Sequence, residues 1–551
     1  ADYRTSLARF GGQLANSPDG LLRDPQNIDV VVIGSGYGGS ILAARLAPRL
    51  YPGRRLVVLE RGRECIPGTF PDTLRDCVAE LRQQPLSSSA LSLKNPLGLL
   101  DLCTSPDINV ISGSGLGGTS LVNANVAAVP DRDVFAQDPW PRVFHNTAEL
   151  DLGFRLASYE LNLQYSPCDT AKTKALARIG HSLNIPSEPA LVAVTHQGQG
   201  LSPNRRNRQG MLQRPCTMCG DCATGCNVGA KNTLQMNYLP LAKSFGAEMY
   251  PQTEVRAIHK TSAGYCVEFV QWISTENGLT QRRGRVFAKM VILAAGSIGS
   301  TELLLRSQNA NFCFSAQLGQ RWSGNGDAYG FVVGTDNVTN SGGYGAYETD
   351  QPPVGVLQQR NLDLRQNVPF GQRLLVQEGN VPRAYLGIAS ALFTDSTLNK
   401  SLVLFAAGHD GNRGRIEIVN GQVSVRWPGR KNSEYEHYVR CRLEQFAQAA
   451  GGKPRKIPFL AERPLTVHPL GGCGMADHPN NGVVNDTGQV FDGQTGGLHH
   501  GLHVVDGAVI PTSLGANPFL TIAALAERTA MSILQSEQYS HLIRPVVRRA
   551  G

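Results

Sequence analysis

The chain has 551 residues, 52 basic and 44 acidic side chains, and a formal net charge of +8. This length exceeds what one hydrophobic core supports and indicates two intimately joined domains, while charge spread over the whole length disfavours nucleic acid as a partner. No apolar stretch is long enough to span a membrane, so we expect a soluble protein, although a signal removed before Ala1 stays an alternative.

The first predicted strand leads into a glycine-rich turn. Residues 29–33 form a short apolar run typical of a buried parallel strand, and a helical pattern over 40–50 follows the turn. This strand–turn–helix order is typical of dinucleotide sites, where free N–H groups at the helix N-terminus face a pyrophosphate. Gly34 is predicted to permit the tight turn, Gly36 to let the backbone approach the pyrophosphate, and Gly39 to allow close helix packing, with Gly38 completing the predicted cofactor-binding set.

A second strand, 55–59, ends at Glu60, the position at which an acid binds a ribose 2′-hydroxyl in this fold. With both strands and the acid in order, a flexible loop is the weaker interpretation of the glycines. Further along, 86–102 is loop-like and rich in leucine. A lid over an apolar substrate and a part of the core are equally good interpretations of this segment. A peripheral membrane contact through 86–103 is a further alternative.

Four of the twelve cysteines are closely spaced. Cys216, Cys219, Cys222 and Cys226 have the spacing of a bacterial ferredoxin loop, which predicts ligands of an iron–sulfur cluster, [4Fe–4S]. Zinc usually takes two separated pairs of ligands. Asn227 stands where ferredoxins have proline, so reduced structural thiols are the alternative. Twelve cysteines without an evident disulfide pattern predict the reducing cytoplasm.

The region after residue 328 is predicted to contain a large antiparallel sheet. Residues 402–406, 414–419 and 422–426 have strand composition, and Asn420-Gly421 predicts a hairpin turn between the last two. This sheet is predicted to form one wall of a substrate cavity. Near the C-terminus, His468 and Asn517 supply an imidazole and an amide among glycine-rich turns, the pairing needed to take a proton from an alcohol.

Further glycine-rich segments lie at 110–123, 291–299 and 322–326. Together with the first fingerprint and the histidine and asparagine segments, their order resembles the glucose-methanol-choline (GMC) oxidoreductases, most closely the cholesterol-oxidase branch. The resemblance spans about 29–529 and implies FAD, which we expect to be bound non-covalently because the two-strand fingerprint holds the ADP by backbone contacts. It places the ADP half at Gly34, Gly36, Gly39 and Glu60, the adenine at the backbone of Val255, and the flavin half at Gly113, Gly118, Asn123, Gly296, Asp506 and Asn517.

The resemblance also implies the chemistry. An alcohol, favoured to be a sterol or another bulky apolar alcohol, is oxidised to a carbonyl as hydride passes to FAD. His468 accepts or orients the hydroxyl proton, Asn517 binds the substrate oxygen, and Glu378 assists or moves a proton in a later isomerisation. A sugar or long-chain alcohol is the alternative substrate. The electrons pass to oxygen or, if the cluster forms, to an external redox partner. The alternative function is that of an electron-transfer protein without an alcohol site.

The predicted fold class is α/β. A Rossmann-like FAD-binding domain over 26–130, 225–327 and 464–540 is interwoven with an α+β substrate domain over 131–224 and 328–463. An N-terminal arm, 1–25, and a basic tail, 541–551, complete the predicted organisation.

Overall fold

The computed structural model of the protein describes residues 14–84, 95–198, 201, 205–276, 278–342, 353–386, 398–455 and 463–544. The predicted combination of a Rossmann-like α/β part and a part built on an antiparallel sheet is confirmed. The boundaries of the two domains stay a prediction.

The central sheet has eight strands in the described part of the chain. Its parallel core pairs Ile28–Ile33 with Leu56–Leu59 on one side and with Gly278–Leu293 on the other. Both predicted strands are thereby confirmed, within one residue of their predicted bounds. The remaining strands are Glu248–Tyr250, Thr253–Thr261, Gly264–Thr275, Gln489–Phe491 and Leu498–Val504.

Helices cover both faces of this sheet, which explains why residues 30–33 of its first strand are all apolar. Val32 packs in a cluster with residues of the helices Tyr37–Leu46, Tyr238–Ser244 and Phe519–Gln535. Val31 points to the opposite face and packs in a cluster that includes residues of the helix Gly296–Ser307. The helix Ala148–Glu160 packs against Phe519–Gln535.

The predicted large antiparallel sheet forms, and this second sheet has six strands among the described residues. Their order across the sheet is Lys453–Arg455, Ala328–Val333, Ser401–Gly408, Leu374–Gly379, Arg360–Asp363 and Ser187–Pro189. The helices Ala171–Ser182 and Glu434–Ala449 pack on one face of the sheet.

The predicted Asn-Gly hairpin forms, but the prediction that it belongs to the large sheet is wrong. Arg415–Val419 and Gln422–Arg426 pair only with each other among the described strands. Asn420 and Gly421 have φ values of 50° and 76°, the left-handed conformation that a tight two-residue hairpin turn requires. The hairpin packs instead with Trp322 and Trp427 in a small separate cluster.

The leucine-rich segment is only partly described, since residues 85–94 lie outside the described residues. From residue 95 onward it is core rather than lid, because Leu97, Leu99 and Leu100 are buried. The four-stranded sheet in this region comprises Leu81–Gln84, Leu100–Thr104, Asn109–Gly113 and Leu465–Thr466, and a three-stranded sheet comprises Val126–Ala127, Gln164–Tyr165 and Leu191–Val192.

The remaining helices are short. The α-helical segments are Pro18–Arg23, Leu74–Ala79 and Arg132–Phe135. The 3-10 segments are Ala47–Arg49, Gly118–Leu121, Arg142–His145, Cys222–Thr224, Leu234–Met236, Phe370–Gln372, Arg430–Asn432, Gly507–Val509 and Glu537–Tyr539. Within the ranges given above, no helix combines the length and apolarity needed to cross a membrane.

Candidate active site

The first glycine turn joins the central strand to a helix that begins at Tyr37. Gly34 has a φ of 97° and lies against the carbonyl of Ala294, so no side chain fits there. Gly36 is different, because a Cβ atom at that position would have its nearest neighbour 4.0 Å away. The backbone around Gly36 is therefore open to a ligand at the helix N-terminus, whereas Gly38 and Gly39 are packed against backbone carbonyls.

The Glu60 carboxylate ties this turn to the neighbouring loops. Its two oxygens accept hydrogen bonds from the backbone N–H and hydroxyl of Ser35, at 3.1 and 2.6 Å, and from the N–H of Gly62 at 2.8 Å. Its carbonyl accepts from the N–H of Thr253, at the start of the strand that contains Val255. This bond brings the Glu60 backbone next to the strand that contains Val255, and the assignment of both residues to the ADP half stays a prediction.

The second glycine loop, residues 110–123, lies directly on the first glycine turn, residues 34–39. A Cβ atom on Gly118 would be 2.9 Å from the Cα atom of Gly36, so the two backbones touch. The Asn123 amide donates to the Tyr37 hydroxyl at 2.9 Å, while its own oxygen is buried with no partner among the described residues. Gly113 donates its N–H to a side chain of the same loop, Thr119. A ligand donor beside Asn123 would satisfy the unpartnered oxygen.

Asp506 anchors the turn that contains Gly296. Its carboxylate accepts hydrogen bonds from the Gly296 N–H at 2.9 Å, the Ser300 hydroxyl at 2.5 Å and the Ala508 N–H at 2.8 Å. Burial raises the pKa of Asp506, and these hydrogen bonds oppose the rise. Because both carboxylate oxygens are used within the protein, Asp506 holds the position of Gly296, whose outer side is open.

His468 is oriented by an aspartate that the sequence analysis did not identify. Its Nδ1 lies 2.8 Å from the Asp327 carboxylate, whose other oxygen accepts from the Thr466 hydroxyl and the Val467 N–H. An acceptor at Nδ1 holds the proton there, so Nε2 is the nitrogen left to accept a proton. Asp327 follows the 322–326 motif directly, which is the one signal that points to it.

Asn517 is held by Gln377, another residue that the sequence analysis did not identify. The Gln377 Nε2 donates to the Asn517 Oδ1 at 2.8 Å, and both side chains are buried. Gln377 pairs across the sheet with Phe405, whose ring lies edge-on to His468 with 5.4 Å between ring centroids. Since directly opposed residues share a face of a sheet, His468 and Asn517 converge on the face that carries Gln377 and Phe405.

The 322–326 loop connects the two candidate catalytic residues. The Asn325 side chain donates to the carbonyl of Ala516 at 2.8 Å and accepts from the N–H groups of Leu514 and Gly515, the turn that precedes Asn517. The buried Asp410 carboxylate accepts from the Gly324 and Gly326 N–H groups and fixes the loop itself. One loop therefore supports His468 through Asp327 and Asn517 through Asn325.

The prediction that Glu378 reaches the active site is wrong. Glu378 follows Gln377 in the strand Leu374–Gly379, and successive side chains of a strand point to opposite faces. Its oxygens accept from the N–H groups of Gln359 at 2.8 Å and Arg360 at 3.1 Å, and Lys172 lies 3.5 Å away. Burial raises the pKa of Glu378 as expected, but the side chain is fully buried in an ion pair rather than placed in a cavity or a surface turn.

The four cysteines line one small enclosed cavity of about 20 Å³, roughly the space of one water molecule. Burial raises the pKa of the Cys216 and Cys222 thiols and raises that of Cys219 to about 12. Among the described residues, no group of three or more histidine, cysteine, aspartate or glutamate side chains is arranged to hold a single metal ion. The cluster prediction is therefore not confirmed.

Lys231 links this cavity to the second glycine loop. It is 2% exposed and its Nζ donates to the carbonyls of Leu121 at 3.0 Å, Asn123 at 2.7 Å and Cys222 at 3.2 Å. Desolvation lowers the pKa of Lys231 to about 8, with the neighbouring cysteines opposing the shift. The four-cysteine loop and the loop of Asn123 are thus held together by one buried cation.

Comparisons with known proteins identify the family of this chain. The model of the N-terminal part of GMC oxidoreductases matches residues 97–311, and the C-terminal model matches residues 457–526, which includes His468 and Asn517. The chain belongs to the GMC oxidoreductase family. The family binds FAD, and this GMC oxidoreductase is an enzyme that acts on CH–OH donors.

Known proteins are similar in sequence to this GMC oxidoreductase over most of its length. It is 28% identical to a cholesterol oxidase of Mycobacterium tuberculosis over 91% of this chain and 90% of the relative. A long-chain-alcohol oxidase of Arabidopsis thaliana is 22% identical over 93% of this chain and 68% of that protein. The crystal structure of pyridoxine 4-oxidase from Mesorbium loti has a TM-score of 0.61 at 18% identity, covers 94% of this chain and 99% of its own, and supports the fold.

Proposed function

We propose that this GMC oxidoreductase oxidises an apolar alcohol to the corresponding carbonyl. The observation that carries the proposal is the oriented pair on one side of the second sheet, where Asp327 directs His468 and Gln377 directs Asn517. A histidine with one nitrogen held by a carboxylate and the other left to react is suited to removing a hydroxyl proton. A nearby amide is suited to binding the same oxygen.

The residues around the glycine turns fit FAD. Gly36 and Gly296 leave their backbones open, and the buried Asn123 oxygen lacks a donor. In this proposal Gly34, Gly36, Gly39 and Glu60 hold the ADP half, Val255 contacts the adenine, and Gly113, Gly118, Asn123, Gly296, Asp506 and Asn517 surround or position the flavin half. When bound, FAD supplies the acceptor for the hydride. In the described part of the chain we identify no residue placed as a covalent tether, and the proposed binding is non-covalent.

His468 removes the hydroxyl proton with Nε2. Asp327 keeps the other ring nitrogen protonated and is hydrogen-bonded at both oxygens, so the imidazole cannot rotate freely. Charge developing on His468 as it gains the proton is stabilised by the buried carboxylate. Asn517 donates to the alcohol oxygen as that oxygen becomes a carbonyl, and thereby holds the substrate carbon in line for hydride loss.

The wall beside these groups favours an apolar substrate. Tyr329, Phe405 and Gln377 occupy directly opposed positions on three adjacent strands, and the Tyr329 and Phe405 rings are 5.4 Å apart. The two aromatic rings give this wall an apolar surface, and the Tyr329 hydroxyl and the Gln377 amide are the polar groups beside them. A sterol is our first substrate and a long-chain alcohol the second, since relatives named for both are similar over most of this chain.

A panel of alcohols tests this proposal. We expect cholesterol or a long-chain alkanol to bleach the flavin spectrum of the anaerobic holoenzyme, and glucose to have little effect. If glucose alone reduces the flavin, the enzyme acts on sugars. If none of the alcohols does, the proposed substrate class is wrong and another alcohol is the substrate.

The four-cysteine cavity carries a second proposal, an iron–sulfur cluster that passes electrons to an external redox partner. Lys172 and Lys231 are both buried near Cys222, and Glu378 is the one carboxylate paired with them in the described part of the chain. Thiolates bound to iron would supply the missing negative charge. Because the cavity has only about the volume of a water molecule, the loop must open to admit a cluster.

Iron analysis of anaerobically purified protein tests the second proposal. We expect about four iron atoms per chain and a brown colour, both lost in Cys222→Ala. Cys441→Ala, a cysteine on the helix Glu434–Ala449, is the matched control and should retain the iron. Protein without iron, whose flavin is reoxidised rapidly by air, would contradict the cluster and indicate structural thiols in an oxidase.

A further inference from the structure

Gln377 has a fully buried side-chain amide, and its nitrogen is the donor in both of its hydrogen bonds. Its Nε2 donates to the Oδ1 of Asn517 and to the Oδ1 of Asn361, each at 2.8 Å. Its own Oε1 is buried without a partner among the described residues. A donor is therefore directed at Asn517, although no described residue donates a hydrogen bond to the Oε1 of Gln377.

This contact decides which end of the Asn517 amide is left for the substrate. An asparagine carries an acceptor oxygen and a two-donor nitrogen, and rotation by 180° about the last side-chain bond exchanges them. With Oδ1 occupied by Gln377, Nδ2 is the end that remains for a ligand. The backbone of Asn517 is held independently, because Asn325 bonds to the turn of 514–516 just before it.

We infer that Gln377 is a positioning residue that sets the direction of the Asn517 amide, so that N–H donors rather than a carbonyl face the reacting oxygen. The inference rests on the proposed function. Donors aimed at an oxygen that gains negative character lower the barrier, whereas a carbonyl in the same place would repel it. The sequence predicted a carboxylate on this wall; the structure has a neutral amide there.

The substitution Gln377→Glu reverses the contact without changing its shape. The ionised carboxylate has no donor, so Asn517 is expected to turn its nitrogen toward it and its oxygen toward the substrate. We expect flavin reduction by the alcohol to fall about a hundredfold or more at pH 8, the loss typical of a missing oxyanion donor. At lower pH the protonated carboxyl again donates to Oδ1, and part of the rate should return.

The measured quantity is the ratio of the Gln377→Glu rate to the wild-type rate from pH 5 to pH 9, at saturating alcohol without oxygen. Ionisations of His468, Asp327, Tyr329 and His409, the titratable groups around this wall, affect both proteins and largely cancel in the ratio. We expect the ratio to rise as pH falls, with an apparent pKa above the usual glutamate value because the site is buried. A purely structural role would give a ratio independent of pH.

Two further variants keep the test decisive. Gln377→Met removes the donor without adding charge, and we expect at least a tenfold loss that does not recover at low pH. Gln489→Glu adds a carboxylate at another buried glutamine, in the central sheet, and controls for buried charge. Should Gln377→Glu fail to retain FAD, a wild-type rate in Gln377→Met would overturn the inference.

Comparison with Asn517→Ala separates this inference from the proposed function. If Asn517→Ala is inactive while both Gln377 variants keep the wild-type rate and pH profile, only the inference fails. If Asn517→Ala is itself active at the wild-type rate, the proposed function of Asn517 fails first. Loss of rate in all three, with acid recovery confined to Gln377→Glu, supports both.

Discussion

The Asp327 carboxylate lies 2.8 Å from the Nδ1 of His468, although the two residues are 141 positions apart in the chain. The contact joins the end of the 322–326 loop to the C-terminal histidine segment. Through it, an aspartate whose side chain is 1% exposed determines which nitrogen of His468 can react.

Asp327→Asn tests this relationship. An asparagine of the same shape can donate to Nδ1 and so stabilise the wrong tautomer, and a comparable change in a serine protease triad lowers kcat about 10⁴-fold. We expect at least a hundredfold slower flavin reduction with FAD content unchanged. In the double variant with His468→Ala the losses should not add, because both act through one imidazole. Additive losses would contradict a role through His468.

Glu60→Arg is expected to weaken retention of FAD. The carboxylate holds Ser35 and Gly62 in place at the edge of the glycine turn. Replacing it with a guanidinium also removes the predicted acceptor for a ribose hydroxyl. Flavin released on acid precipitation, per chain, measures the loss. Glu64→Arg is the control, since Glu64 lies near in sequence and accepts instead from the N–H groups of Leu14 and Ala15. Equal flavin content in Glu60→Arg and wild type would contradict the assignment.

The Lys172–Glu378 pair is expected to support folding and not the chemical step. Lys172→Met leaves a buried carboxylate without its cation, which typically costs about 3–5 kcal/mol. We expect urea denaturation to show this loss, partly recovered in Lys172→Met combined with Glu378→Gln. In the folded fraction of Glu378→Gln, the rate of flavin reduction should be near wild type. A rate reduced a hundredfold there would restore Glu378 as a catalytic residue.

Buried His503 should make the fold sensitive to acid. Burial lowers its pKa to about 4, and its Nε2 lies 2.8 Å from the Tyr539 hydroxyl. The unfolded chain protonates this histidine near pH 6.5, while the folded protein does so only near pH 4. Stability should therefore be full above pH 6.5 and fall between pH 6.5 and 4. We expect the decrease in Tm over this range to be smaller in His503→Gln. An unchanged slope would contradict the assignment.

Much of the fold was predictable because local chemistry specifies it. The apolar run of the first strand, the glycine turn and the Asn420-Gly421 hairpin each follow from backbone preference or burial, and all three form. The helix after the glycine turn ends earlier than its apolar pattern suggests. Its α-helical part stops at Leu46, and Pro48 lies in a 3-10 turn that follows.

The site was only partly predictable, because two of its contacts depend on tertiary placement. His468 and Asn517 stand in motifs, but the choice between Gln377 and Glu378 depends on which face of a strand meets the site. A shift of one residue exchanges the two faces of a strand. A resemblance over a few residues therefore does not show which of the two side chains faces the site. Similarly, nothing in the local sequence shows that Lys231 is buried between the cysteine loop and the loop of Asn123.

The most direct test of the account is the rate of flavin reduction after anaerobic mixing of the holoenzyme with the alcohol that reduces it best. We predict rapid bleaching in the wild type and rates about a hundredfold to ten-thousandfold lower in His468→Ala and in Asn517→Ala, both with normal FAD content. Near-wild-type reduction in both variants would contradict the assignment of His468 and Asn517 as the residues that oxidise the alcohol.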